Sequence, residues 1–296
     1  MVVYFDLRKK PLFGPYFEQS GVRHANHFRS KTAAMMGRIR QKKVPKALLY
    51  ADPICPPGDD RIIVFDSLCS DRYLQWVRER HPDKRLILWY WNPVPGHLIT
   101  GAKELAEVWT YSSRDSKEYG LRLNTQFYFD CLAEEASGFH EMPKTDHPHV
   151  LFVGREKGRS AQLADLKLEL EEAGAETDLR IYSPPNVWKK AVWLFEDLMP
   201  YREVTDLVRE SDVLLDLNSD PGAGLSLRAM EALFWNKKLI TNTTEIAEAD
   251  FYDPHNIYIL GKEERTFREF LEEEFRPADP GIRDRYLLSR WLDRFE

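Results

Sequence analysis

Three cations, Arg155, Lys157 and Arg159, crowd into the five residues that follow the apolar run "HVLFVG", interleaved with Glu156 and Gly158. If that run is a buried strand, the cations occupy the strand-to-helix loop at the carboxyl edge of a sheet, where ligands bind. Glycines there let a backbone come close to a ligand, and the next helix offers unpaired amides and a positive dipole end. A phosphate or diphosphate is the group that suits three full charges in such a place. The order G-R-E-K-G is not the dinucleotide fingerprint, and no G-K-[ST] closes it as a P-loop would.

A second loop of the same kind follows "DVLLDL". In "NSDPGAG" (218–224), Pro221, Gly222 and Gly224 favour a tight backbone approach, and Gly224, Leu225 and Ser226 present amides at a helix start. Glu231 lies about two helical turns on, among Met230, Ala232, Leu233, Phe234 and Trp235. A carboxylate in that setting is suited to accepting both hydroxyls of a ribose.

These loops need a framework, and the alternation of apolar runs with helical periodicity supplies one. Strands are expected at 2–5, 47–50, 62–65, 86–90 and 108–111, several without polar alternation, as in strands covered on both faces. Between them, Tyr73, Trp76 and Val77 share a helical face. The stretch "EMPKTDHPH" interrupts with two prolines, which places a domain boundary there and gives an N-terminal domain over 1–146. Alternation then restarts: strands at 150–153 and 179–182, "DVLLDL" and "KKLIT", helices carrying Leu163, Leu166 and Leu170, then Val204, Leu207 and Val208, then "LSLRAMEALFW". Strands joined by helical crossovers form parallel sheets, so the fold class is α/β with two Rossmann-like domains, the second over 147–279. The closing "IRDRYLLSRWLDRF" spaces Ile282, Tyr286, Leu287, Trp291 and Phe295 for one last helix.

In the first half, chemistry-bearing residues stand where strands end: Asp6, Asp52, Asp66 and Asn92, with His24, His27 and His97. Asp66 follows the clean strand "IIVF" and is the first choice for a general base. Trp91 and Asn92, in "WYWNPVPG", are the candidates for an acceptor cleft. In the second half Tyr182, at the end of "RIY", frames a nucleobase.

Composition limits the alternatives. The chain has 296 residues, a net charge of −6 and 43% hydrophobic residues, enough for one large core or two medium ones. The charge argues against nucleic acid as a partner, and no run approaches the roughly 18 apolar residues of a membrane span. Cys55, Cys69 and Cys131 are dispersed, so neither a disulfide framework nor a metal site is expected, and a cytoplasmic location fits. One region is uneven: residues 19–51 hold no Asp or Glu but contain Arg23, Arg29, Lys31, Arg38, Arg40, Lys42, Lys43 and Lys46. That block, 23–46, is a candidate for an anionic membrane surface, which would place the protein at the inner membrane face.

"VLFVGREKGR", "MPYREVTDLVRESDVLLDL" and "GAGLSLRAMEALFWNKKLITN" together resemble the donor half of GT-B glycosyltransferases, above all bacterial ones of polysaccharide or lipopolysaccharide biosynthesis. The resemblance covers roughly 149–260. It implies two domains facing a cleft, with a closing helix (280–296) that returns to complete the N-terminal domain. It implies transfer from a nucleotide sugar, a substrate rather than a cofactor, to a saccharide or lipid-linked acceptor without a metal. Arg155, Lys157 or Arg159 would hold the diphosphate, and Glu231 the ribose. The pattern departs at one place: many retaining members carry a sugar-contacting glutamate eight positions before the second, where this chain has Ala223. Asp220 is the nearest substitute. A nucleotide-sugar epimerase and a non-catalytic nucleotide-binding subunit are the alternatives.

Overall fold

The computed structural model describes residues 1–4, 12–40, 43–55, 58–138, 146–182 and 199–295, without the side chains of 38–40. Asp6 and Lys42 fall outside them. Apolar runs become strands where both faces are covered. β1 (Val2–Val3), β2 (His24–Ala25), β3 (Arg61–Phe65), β4 (Arg85–Tyr90), β5 (Glu107–Thr110) and β6 (Arg122–Leu123) form one parallel sheet in the order β2-β1-β3-β4-β5-β6. Ile62, Ile63, Val64 and Phe65 are entirely buried. The helix Asp71–Arg80 begins where the Ser70 hydroxyl accepts from the Tyr73 amide, and it buries Tyr73, Leu74, Trp76 and Val77.

The second sheet holds β7 (His149–Arg155), β8 (Glu176–Tyr182), β9 (Val213–Asp216), β10 (Lys238–Thr241) and β11 (Ile257–Ile259), all parallel, in the order β11-β10-β9-β7-β8. Leu163, Leu166 and Leu170 of the helix Ser160–Glu172 close on Val150, Phe152, Val213, Leu215 and Ile240. Adjacent lysines at the start of β10 each cap a helix C-terminus. Lys237 donates to the carbonyls of Arg209 (2.9 Å) and Ser211 (2.5 Å), and Lys238 to those of Phe270 (2.5 Å) and Glu273 (2.6 Å).

Both sheets are doubly wound in the same way: the first strand lies between the second and the third, so winding reverses at β1/β3 and at β7/β9. In open α/β sheets the crevice beyond the carboxyl ends at such a reversal is where ligands bind.

Three expectations change. Residues 47–49 lie not in a strand but in the short helix Lys46–Leu49, entered from Pro45, and Tyr50 after it keeps one antiparallel bridge to Phe28. The closing segment is two helices, Pro280–Asp284 and Leu288–Asp293, because Tyr286–Leu288 is drawn into backbone bonding with Tyr128: Tyr128 N to Tyr286 O at 2.6 Å and Leu288 N to Tyr128 O at 2.8 Å. Contacts divide the described chain into one unit of 1–124 with 199–201 and another of 125–182 with 202–295. Residues 125–138 and the closing segment thus belong with the second sheet, where 1–146 and 280–296 were expected to make the first domain. The Trp291 ring lies against that of Phe127 (4.6 Å, tilted), and Ser289 donates its amide to Asp130 (3.0 Å), which accounts for that membership.

Candidate functional site

At the β7/β9 reversal the two glycine loops lie side by side. The β7 loop turns at Lys157 (φ 44°) and Gly158 (φ 80°), both left-handed. Glu156 holds that turn: its amide donates to Tyr182 O (2.8 Å), and its carboxylate accepts from Gly158 N (2.9 Å) and the Ser160 hydroxyl (2.8 Å). Left-handed geometry costs a lysine free energy, so the turn is bought by its surroundings.

Arg159 folds back over the loop. Its Nε and Nη2 donate to Arg155 O (3.0 and 2.7 Å), its Nη1 donates to Leu217 O beyond β9, and its guanidinium lies 4.9 Å above the Phe152 ring. Arg159 was expected on the diphosphate; the structure uses its donors to brace one loop against the other. Gly154 makes room for this. A Cβ there would stand 2.8 Å from Arg159 Nη2 and 2.9 Å from Phe152 Cζ. Gly154→Ala is accordingly expected to lose about 1–3 kcal/mol, read by chemical denaturation, as Arg159 is pushed off Leu217; an unchanged midpoint would show that the brace carries no stability.

Lys157 differs from its neighbours. Among the described residues it has no hydrogen-bond or ion-pair partner, and partial burial plus the charges of Arg159 and Arg155 lower its pKa. Arg155 ends β7 beside Tyr182, the last residue of β8. Residues 183–198, which follow Tyr182, lie outside the described residues.

The β9 loop is organised by Asp216, 8% exposed. Its Oδ2 accepts from Ser226 Oγ (2.8 Å), Asn218 Nδ2 (3.2 Å) and Thr241 Oγ1 (3.3 Å). Burial raises the Asp216 pKa, while Ser226, Arg228, Thr241 and Arg159 oppose the shift. Ser226 also caps the helix Leu227–Phe234 by accepting from Ala229 N (3.2 Å). Asn242 closes the loop reciprocally, accepting from Asn218 N and donating to Asn218 O, each at 2.8 Å. Gly224 is left-handed (φ 90°), and Leu225 O accepts from Gln126 Nε2 (3.2 Å). Asp220 shapes its own turn, accepting from Gly222 N (3.2 Å) through its side chain and from Ala223 N (3.1 Å) through its carbonyl. It therefore lends a carboxylate to the turn, next to a buried Ala223.

Glu231 is 2% exposed and accepts from Arg228, whose Nη2 lies 3.4 Å from Val153 O on β7. The structure thus brings Glu231 to the same strand end as the cations, with Arg228 between. Sequence reading missed Arg228 and Asp216 as parts of the site. The signal for Asp216 was present in the parallel endings "VFD66" and "LLD216", each an acid closing an apolar strand next to a winding reversal.

The first sheet has its own carboxyl-edge cluster. Asp66 follows β3, and its Oδ1 accepts from Trp91 N (2.9 Å). Asn92 Nδ2 lies 3.2 Å from Oδ1 and 3.0 Å from Oδ2. Burial raises the Asp66 pKa to about 6 against these hydrogen bonds. Trp91 reaches Asp66 through its amide, while its ring meets the rings of Tyr4 (5.8 Å), Phe13 (5.1 Å) and Phe65 (5.2 Å). The other candidates have other partners: Asp52 pairs with Arg80 and His81, His24 bonds Tyr4 O, and His27 bonds Phe65 O. His97 is exposed.

In the basic block, Arg29 donates to Tyr50 O, Lys46 pairs with Glu79, and Met35 and Met36 are exposed. No helix among the described residues is long and apolar enough to cross a membrane, and no three His, Cys, Asp or Glu side chains among them are grouped to hold a metal ion.

No family model matches the chain, and no curated protein does. Among solved structures, a glycosyltransferase from Rickettsia africae ESF-5 is similar over 95% of this chain and 85% of its own, at 9% identity and a TM-score of 0.47. The catalytic domain of starch synthase IV from Arabidopsis thaliana, bound to ADP and acarbose, is similar over 79% of this chain and 67% of its own, at 12% identity and a TM-score of 0.38. The chain's own strand order is what identifies its architecture: two doubly wound, parallel α/β sheets of the Rossmann type.

Proposed function

We propose that the protein transfers a glycosyl group from a nucleotide sugar to the hydroxyl of a saccharide or lipid-linked acceptor. One observation carries the reading: Lys157, a cation in a left-handed turn between two arginines and without a partner among the described residues, stands at the winding reversal of the second sheet, on the loop after β7, the strand that Arg228 links to the buried carboxylate of Glu231. Glycosyl transfer leaves new negative charge on a departing nucleoside diphosphate. Cations fixed in advance stabilise that charge more in the transition state than in the ground state, which is what accelerates a reaction. Lys157 and Arg155 take the diphosphate in this reading, with Arg159 as their brace. Asp66, poised near neutrality, takes the acceptor proton.

Thermal stability measured against nucleoside diphosphates is the direct test. A ligand at 100 times its Kd adds about 2.7 kcal/mol to the folded state, so at least one diphosphate is expected to raise Tm, and its sugar conjugate is expected to yield a glycosylated acceptor. A panel in which none raises Tm would overturn the reading. Ala223, with Asp220 occupied in its turn, favours one competing reading, a nucleotide-binding subunit without catalysis. Transfer or donor hydrolysis by the isolated chain would exclude it.

A further inference from the structure

Asp66, partly buried at the end of β3, has hydrogen bonds where a carboxylate withdrawn from water often has an ion pair. No Lys or Arg among the described residues pairs with it. Among the described residues, the ionisable groups that face it are Cys69 in its own loop and Tyr90 on β4; burial pushes the Cys69 thiol well up and Tyr90 to about 12, so both are neutral at neutral pH. Behind it, His27 is lowered to about 3 by burial and bonds Phe65 O, so it too carries no charge. What opposes the burial of Asp66 is first the side chain of Asn92, on both carboxylate oxygens, and then the backbone amides of Trp91, Asp66 and Asn92.

Asn92 is built to stay there. Pro93 restricts its backbone to the extended region. The loop beyond is pinned where Val94 N donates to the buried carboxylate of Asp115 (2.7 Å) and Ile99 N to the Tyr90 hydroxyl (2.9 Å). A donor shared between two carboxylate oxygens favours the ionised form and fixes the plane of the group.

We infer that Asn92 is a positioning residue, whose amide keeps Asp66 ionised and aimed so that Asp66 acts as the base at neutral pH. This rests on the reading of Asp66 as base in glycosyl transfer. In that step the acceptor O–H proton passes to an Asp66 oxygen and the acceptor oxygen bonds the anomeric carbon. The anomeric carbon–phosphate oxygen bond breaks, its electron pair leaving with the nucleoside diphosphate. In this role Asn92 acts through Asp66, which its side chain touches.

The test is a carbon-detected NMR titration of the Asp66 carboxyl in the full-length protein, read beside the pH profile of kcat/KM. Asn92→Ala is expected to move the Asp66 midpoint upward by about one pH unit, the size of one hydrogen bond to a charged group, and the acid limb of kcat/KM by the same amount. KM for the nucleotide sugar stays unchanged. Asn92 is exposed, so the variant is expected to fold; Asn92→Ser, too short to span both oxygens, is the second variant and should shift the midpoint in the same direction. A midpoint unmoved in both variants overturns the inference, whatever the activity. A midpoint that moves while the kinetic limb does not removes Asp66 as the base, and the inference falls with that reading.

Discussion

Replacing Arg155 by alanine and Lys157 by glycine is expected to abolish nucleoside diphosphate binding while the ligand-free protein melts almost where it did. The hydrogen bonds that hold the loop's turn come from other groups. Glu156 and Arg159 hold it through Gly158, Ser160, Arg155 O and Leu217 O, and these contacts survive the substitutions. Glycine is the apt replacement at 157 because it adopts φ 44° without the cost a lysine bears. Loss of one preorganised contact to developing charge costs on the order of 2.7–4 kcal/mol, so each substitution alone is expected to weaken binding or turnover roughly 100- to 1,000-fold. Isothermal titration with the diphosphate that stabilises the native chain is the measurement. Affinity unchanged in the double variant would place the diphosphate elsewhere. The Lys157 charge also sets a pH dependence. Its pKa is lowered in the free protein, so affinity is full while the ammonium is protonated and is lost as pH rises through that lowered value.

The second large effect is at the pair Arg228 and Glu231. Glu231→Ala leaves the guanidinium of Arg228, itself 13% exposed, without its carboxylate. Stranding one member of a buried pair costs about 3–5 kcal/mol, a large share of the roughly 5–15 kcal/mol that keeps a domain folded. Urea denaturation is expected to show that loss. Replacing both, Arg228→Met with Glu231→Leu, removes the stranded charge and is expected to recover most of the stability, since apolar pairs of similar volume often replace buried ion pairs without penalty. The double variant separates two roles for Glu231. Recovered folding with lost nucleotide affinity fits a ribose contact, whereas recovered folding with native affinity would reduce Glu231 to a structural partner of Arg228.

Much of the framework was legible because burial on both faces leaves a signature along the chain. β3, β4, β7, β9 and β10 are apolar runs in the sequence, and all are strands. The same signature misled at 47–50, where Pro45 starts a helical turn, and it was absent from β2 and β6, whose two residues carry no pattern. The closing helix broke at Tyr286 and Leu287 because bonding to Tyr128, 158 positions earlier, outweighs local helical preference. Nothing within a helical turn of those residues announces such a partner.

By itself the sequence determined the type of fold, the two glycine loops, the cations of the first and the acid that closes β3, because these depend on periodicity and residue type over a few positions. Tertiary structure decided which of those groups the protein itself engages. It turned Arg159 onto Leu217, set Arg228 against Glu231, gave Asp216 the hydroxyls of Ser226 and Thr241, and laid Asn92 across Asp66. A side chain's role is fixed by the donors and acceptors within about 3 Å of it, and in a doubly wound sheet those arrive from strands far apart in the chain.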